Sequence, residues 1–147
     1  MDASDADAAK LSDYRLDEQV GYLLRLANQR HATIFQRLIS EELTPTQFST
    51  LIRVAEQGQV SQNHLGRLAA MDVATTKGVV DRLKAKGLIV AHPDPNDKRR
   101  SNISLSASGA RMVDVLVRDG QDITQETLKP LTQAERNRLL ELLQKLS

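Results

Sequence analysis

Apolar positions form helical stripes at both ends of the chain and shorter, more varied patterns between them. Val20, Leu23, Leu24, Ala27, Ile34 and Leu38 recur at the spacing of one helix face, predicting a long helix over about 14–41 with His31 on the same stripe. Thr44-Pro45-Thr46-Gln47 opens a second helix. Thr as cap, Pro in the first turn and Gln three residues after the cap is the capping-box signature, in which side chains satisfy the helix's first free N–H groups. Phe48, Leu51, Ile52 and Ala55 form its buried face, and Gly58 ends it. Ser61 caps a short third helix with Leu65, Leu68 and Ala69 in the core, followed by a break at about Met71-Asp72. Asp72 caps a fourth helix that runs to Lys86 and stops at Gly87. Thr76, Val79, Val80 and Leu83 face inward from it, while Ala74, Thr75, Lys77, Gly78, Asp81, Arg82 and Lys84 face outward.

LIVAH and NISLS flank the tip PDPNDKRRS, which reads as a β-hairpin with a long loop. Ser106 caps a fifth helix carrying Val113, Leu116, Val117, Gly120 and Ile123 on one side, closed by Pro130. Thr132 and Glu135 form a second capping box, opening a last helix striped by Leu139, Leu142, Leu143 and Leu146. Residues 1–12, rich in Ala, Asp and Ser, are expected to be a flexible tail ahead of a single domain over 13–147. The expected fold is mainly α with a small β-hairpin wing. A short helix, a tight break and a helix with a small polar outer face make a helix-turn-helix, and the hairpin directly after it is a wing.

Composition narrows the function. No Cys is present, which removes disulfides, thiol chemistry and Cys-based metal sites. Aromatics are 3% with no Trp, which argues against stacking platforms for single strands. No apolar run approaches the roughly 18 residues of a membrane span, and the start MDASDADAAK lacks the pattern of a signal peptide, so no membrane partner and a cytoplasmic location are expected. The net charge of +1 says nothing about DNA, but its distribution does. Residues 77–100 hold seven basic side chains (Lys77, Arg82, Lys84, Lys86, Lys98, Arg99, Arg100) against three acids (Asp81, Asp94, Asp97). The alternative is an ordinary solvated face.

A recognition helix brings its N-terminal half to base edges in the major groove, so it needs short residues there and long basic ones further on. Ala74, Thr75, Lys77 and Gly78 are compact or basic, and Arg82 lies a turn beyond. Thr75 and Thr76 offer hydroxyls and a methyl for thymine, and Lys77 can reach guanine or phosphate. At the wing tip, Lys98, Arg99 and Arg100 can enter a narrow minor groove, with Asp97 holding the Arg99 guanidinium. The alternatives are a surface helix whose short polar residues merely cap it and a solubilising loop.

The stretch LGRLAAMDVATTKGVVDRLKAKGLIVAHPDPNDKRRSNISLSASG resembles the MarR family of bacterial transcriptional regulators. VDRLKAKGLI looks like the end of that family's recognition helix, DPNDKRR like its wing tip, and L-S-x-x-G at 105–109 like its exit into the dimer helix. Helix order extends the resemblance over nearly the whole chain. It implies a reading head over 44–106 and dimerisation helices over 13–41 and 107–147. The DNA-contacting set it implies, together with the residues above, is Ser61, Gln62, Thr75, Thr76, Lys77, Arg82, Lys98, Arg99 and Arg100, with Asp97 supporting the wing. The partners implied are a near-palindromic double-stranded operator, a second copy of the chain and a small aromatic acid effector.

LGRLAAMDVATTKGVVDRL further resembles regulators of N-heteroaromatic acid breakdown, so a hydroxylated nicotinate is the first effector to consider. Candidate effector-binding residues are Tyr14, Arg15, Tyr22, His31, Phe48, Arg53 and Arg118, because an anion wants an Arg or a protonated His. The plainer reading of His31 is a hydrogen-bonded core histidine. Catalysis is not expected: His31, His64 and His92 lack metal-ligand spacing, and no phosphate loop or nucleophile elbow occurs. No cofactor and no metal are expected. The competing reading is a helical protein-interaction module without sequence-specific DNA binding.

Overall fold

The computed structural model describes residues 10–147; most of the expected tail, residues 1–9, lies outside them. A 3-10 turn at Leu16–Glu18 precedes α1 (Val20–Leu38), α2 (Pro45–Gln57), β1 (Gln59–Ser61), α3 (Gln62–Leu68), α4 (Val73–Ala85), β2 (Ile89–Pro93), β3 (Ser101–Leu105), α5 (Ala107–Leu128) and α6 (Gln133–Leu146). Among the described residues no helix is long and apolar enough to cross a membrane. The chain divides into two compact units, one of residues up to Arg37 with Glu126–Ser147, the other Leu38–Gln125.

The second unit is built on a buried cluster. Leu51 and Val54 of α2, Leu65 of α3, Val80 and Leu83 of α4, Ile103 of β3 and Leu116 of α5 are fully buried there. Each such side chain contributes about 1.5–3 kcal/mol by leaving water, and truncating one to Ala costs about 2–5 kcal/mol. The helix starts follow the sequence signals. Thr44 Oγ1 accepts from Gln47 N while Gln47 Oε1 accepts from Thr44 N, closing the capping box. Ser61 accepts from His64 N and Asp72 from Thr75 N. Ser106 Oγ accepts from Gly109 N and donates to the Gly87 carbonyl at 2.6 Å, tying the end of α4 to the start of α5.

The helices α3 and α4 meet closely because Gly66 has no side chain: a Cβ there would lie 2.5 Å from Thr76 Oγ1. The turn between them passes through Ala70 at φ 56, in the left-handed region that side chains disfavour. A Cβ on Gly109 would run into the Leu88 carbonyl oxygen, so α5 can leave the sheet where it does only with glycine at that position.

Three sequence expectations shift. The long helix begins at Val20, not near 14, because Gln19 is extended (ψ 133) after the 3-10 turn. It ends at Leu38, because Ser40 donates its backbone N–H and its hydroxyl to the Asp119 carboxylate, both at 2.9 Å, in place of helical bonding. The hairpin tip shortens at both ends because Pro93 pairs with Ser101. The unexpected strand β1 pairs with β3, giving an antiparallel sheet ordered β1-β3-β2.

In the first unit, Arg30 donates to the carbonyls of Thr127 and Glu126, at 2.6 and 3.0 Å, near the C-terminal end of α5. Thr132 and Glu135 close the second capping box. Leu23 and Leu24 of α1 and Leu140, Leu142 and Leu146 of α6 are exposed.

Candidate nucleic-acid interface

The helix α4 buries one face and offers the other. Thr76, Val79, Val80 and Leu83 are buried, while Ala74, Thr75, Lys77, Asp81 and Arg82 are exposed. Asp72 fixes the start of the helix: its carboxylate accepts the Thr75 backbone N–H at 2.7 Å, and this bond holds its pKa below the ordinary carboxylate value. Thr75 is therefore presented on the exposed first turn, with its side chain also bonded to the Asp72 carboxylate. Lys77 does not swing freely. Its ammonium donates to Asp81 at 3.0 Å, with Lys84 at 4.0 Å on the other oxygen, and the Lys77 hydrogen bond chiefly depresses the Asp81 pKa. The guanidinium of Arg82 folds back over Gly78, 3.4 Å from where a Cβ would stand.

Thr76 leaves the contact set. It is 3% exposed, and its hydroxyl donates to the Asp72 carbonyl at 2.7 Å, so neither hydroxyl nor methyl can meet a base. Facing Gly66 at the crossing of α3 and α4, it is a packing residue.

The wing tip is a compact turn. The Asp94 N–H donates to the Arg100 carbonyl, the Arg100 N–H to the Asp97 carbonyl, and the Asn96 N–H to the Asp94 side chain. Asp97 accepts from Arg99 twice on one oxygen, from the backbone at 3.0 Å and from Nε at 3.1 Å. These bonds, the side-chain one first, hold the Asp97 carboxyl below its ordinary range. The Arg99 side chain is nevertheless 91% exposed, so it is aimed without being covered. Lys98 and Arg100 are exposed beside it. Pairing of β1 with β3 brings the two ends of the head together. Ser61, Gln62 and Asn63 share a small cavity of about 50 Å³ with Arg99, Arg100 and Ser101.

The effector candidates fall in both units. In the first, Tyr14 and Arg15 are exposed, Tyr22 lies under the Arg25 guanidinium at 5.5 Å, and His31 Nδ1 bonds Thr127 Oγ1 at 2.8 Å. In the second, Arg118 is exposed and Phe48 packs against the core and beside Gly120. Arg53 is committed to structure, with Nε donating to the Leu68 carbonyl at 3.1 Å and a terminal nitrogen to Glu56 at 2.8 Å.

The MarR family profile matches residues 41–100. The HTH-type transcriptional repressor NicR of Pseudomonas putida is 40% identical over 134 residues, covering 90% of this chain and 85% of that protein. The chain belongs to the MarR family. A probable transcriptional regulator from Pseudomonas aeruginosa has a similar crystal structure, with a TM-score of 0.87 and 46% identity over 90% of this chain and 100% of that one. BpsR of Bordetella bronchiseptica, whose DNA binding is regulated by 6-hydroxynicotinic acid, superimposes with a TM-score of 0.86 and 40% identity over 90% of this chain and 96% of that one. As a MarR-family winged-helix protein the chain is a DNA-binding transcriptional regulator and not an enzyme. Two features of this MarR-family head escaped the sequence. Asn63 and Ser101 join the wing cavity only through the β1–β3 pairing, and Asp81 was assigned no role beyond its outward-facing position, although its spacing of four from Lys77 is a readable signal.

Proposed function

We propose that this MarR-family chain is a homodimeric repressor acting in the cytoplasm on near-palindromic double-stranded DNA, released by a small aromatic or N-heteroaromatic carboxylate such as a hydroxylated nicotinate. The observation that carries the reading is an exposed N-terminal half of α4 together with a wing arginine that Asp97 holds outward. Thr75 and Lys77 meet base edges in the major groove, Ser61, Gln62 and Arg82 meet phosphates, and Arg99 enters the minor groove with Lys98 and Arg100 on the flanking backbone.

Residues 44–106 are the reading head, and residues 13–41 and 107–147 the dimerisation helices. The exposed leucines of α1 and α6 support that division, since apolar side chains of this number call for a partner surface. Two heads one turn apart, roughly 34 Å, require a near-palindrome. Likeness to BpsR supports the effector class. Arg53 is already tied down, so an anionic effector draws on Arg15 or Arg118 first. A hundredfold release requires the effector to prefer the DNA-free arrangement by about 2.7 kcal/mol.

The test is fluorescence anisotropy with a duplex selected from a randomised library, a scrambled duplex, two salt concentrations, and benzoate, salicylate, nicotinate and 6-hydroxynicotinate as effectors. Selective binding that one of these acids releases is expected. Selective binding that none releases overturns the effector class. Equal affinity for both duplexes overturns the regulator reading and favours an interaction module.

A further inference from the structure

Val73 is the first residue of α4, and its side chain is 77% exposed, more than any other large apolar side chain of the described residues. The other exposed large apolar residues of its unit, Val90 and Val117, stand at 38% and 44%. Nothing in the fold rewards an isopropyl group there. A β-branched residue is a weak helix former, and a solvated first turn favours polar or acidic groups. The neighbouring polar groups do not screen it either: the Asp72 carboxylate is turned onto the Thr75 N–H, and Met71 is half-buried against Thr50. Side chains of a helix lean toward its N-terminus, so Val73 leads α4 into whatever the helix approaches.

We propose that Val73 is a specificity-determining residue that reads the C5-methyl group of a thymine in each half-site. The inference rests on the regulator reading above and assigns it a contact that Thr76, buried, cannot make. In the major groove that methyl marks thymine alone among the four bases, and it is recognised by apolar contact, not by hydrogen bonding. Lys77, four residues on and exposed, shares its helix face, which places the isopropyl group on the surface offered to base edges.

The test replaces each thymine of the selected duplex by deoxyuridine, one position per half-site at a time. The only change is loss of a methyl group. Wild type, Val73→Ala and Val73→Ser are compared on each thymine–uracil pair of duplexes. Each variant is its own reference, so a change in folded fraction cancels. Wild type is expected to lose about fourfold per half-site at one position, the worth of one buried methyl-sized group. Both variants are expected to lose less than twofold at that position. A flat uracil series in the wild type overturns the proposal, as does a penalty that persists in both variants. Failure of the wild type to prefer the selected duplex over a scrambled one overturns the regulator reading, and this contact with it.

Discussion

The wing offers the sharpest test because its geometry predicts opposite signs for two rival mechanisms. Arg99 is 91% exposed yet held by Asp97 through its Nε and its own backbone N–H. If the guanidinium enters the minor groove, Arg99→Ala removes about 1–3 kcal/mol per wing, or at least about 30-fold for a dimer. It also removes a cation from each wing, and each phosphate contact carries a salt slope near 0.9. Between 50 and 200 mM salt the variant's deficit should therefore shrink by roughly tenfold. Asp97→Asn separates aiming from charge. By charge alone, deleting a carboxylate beside DNA tightens binding. If Asp97 aims Arg99, the substitution weakens binding in the wild-type background and has no weakening effect in the Arg99→Ala background. Anisotropy titrations of the four proteins at both salt concentrations decide it. Undiminished affinity of Arg99→Ala at low salt, or tighter binding by Asp97→Asn alone, would refute the reasoning.

Gly109→Ala forces a Cβ into the Leu88 carbonyl and should cost about 1–3 kcal/mol or more in urea unfolding, whereas Gly21→Ala, with open space around it, should be neutral or stabilising. Ala70→Gly relieves about 1–2 kcal/mol of left-handed strain against about 0.4–1 kcal/mol of added chain entropy, so denaturation should show a net gain of about 0.8 kcal/mol. Asp81→Asn frees Lys77 and Lys84, so affinity for scrambled duplex should rise and the ratio of selected to scrambled affinity should fall; an unchanged ratio would show that the pairing is only structural. Asp72, Asp81 and Asp97 all titrate below the ordinary range, mainly through bonds from Thr75, Lys77 and Arg99 respectively. Their stabilisation is therefore complete above about pH 3.9 and is lost as pH falls through the lowered folded values. Acid unfolding followed by circular dichroism should show a shallower acid limb in Asp97→Asn, and no dependence on these groups between pH 5 and 8.

Local chemistry made the helix starts legible. Thr44, Ser61, Asp72, Ser106 and Thr132 all accept the backbone bonds that their positions imply, because a cap is decided within four residues. The same holds for the inward face of α4 and for Asp97 beside Arg99, two residues apart. Apart from the start of α1, which a local 3-10 turn delays, what failed to show was long-range. The strand β1 is three residues with Val60 its one buried apolar side chain, too short for an alternation to appear, and it exists only because β3 pairs with it. The end of α1 is set by Asp119, far along the chain, and not by any breaker near Leu38. Thr76 had both an inward register and an attractive hydroxyl. The register governed, because the close approach at Gly66 buries whatever lies opposite.

A chain with net charge +1 can act on a polyanion only if its cations are placed as well as present. Lone lysines on a helix would attract any duplex alike, since phosphate attraction carries no sequence information. Here Lys77 is held by Asp81, Arg99 by Asp97, and Arg82 lies back on Gly78. Each carboxylate lowers the return on arbitrary phosphate contact and leaves its cation in one direction. A base edge or narrow groove that lies in that direction recovers the full interaction, and one that does not must first break an ion pair. On the proposed reading, local acids in this way convert a weak overall charge into discrimination, and the apolar lead residue of α4 would add a contact that no phosphate can imitate.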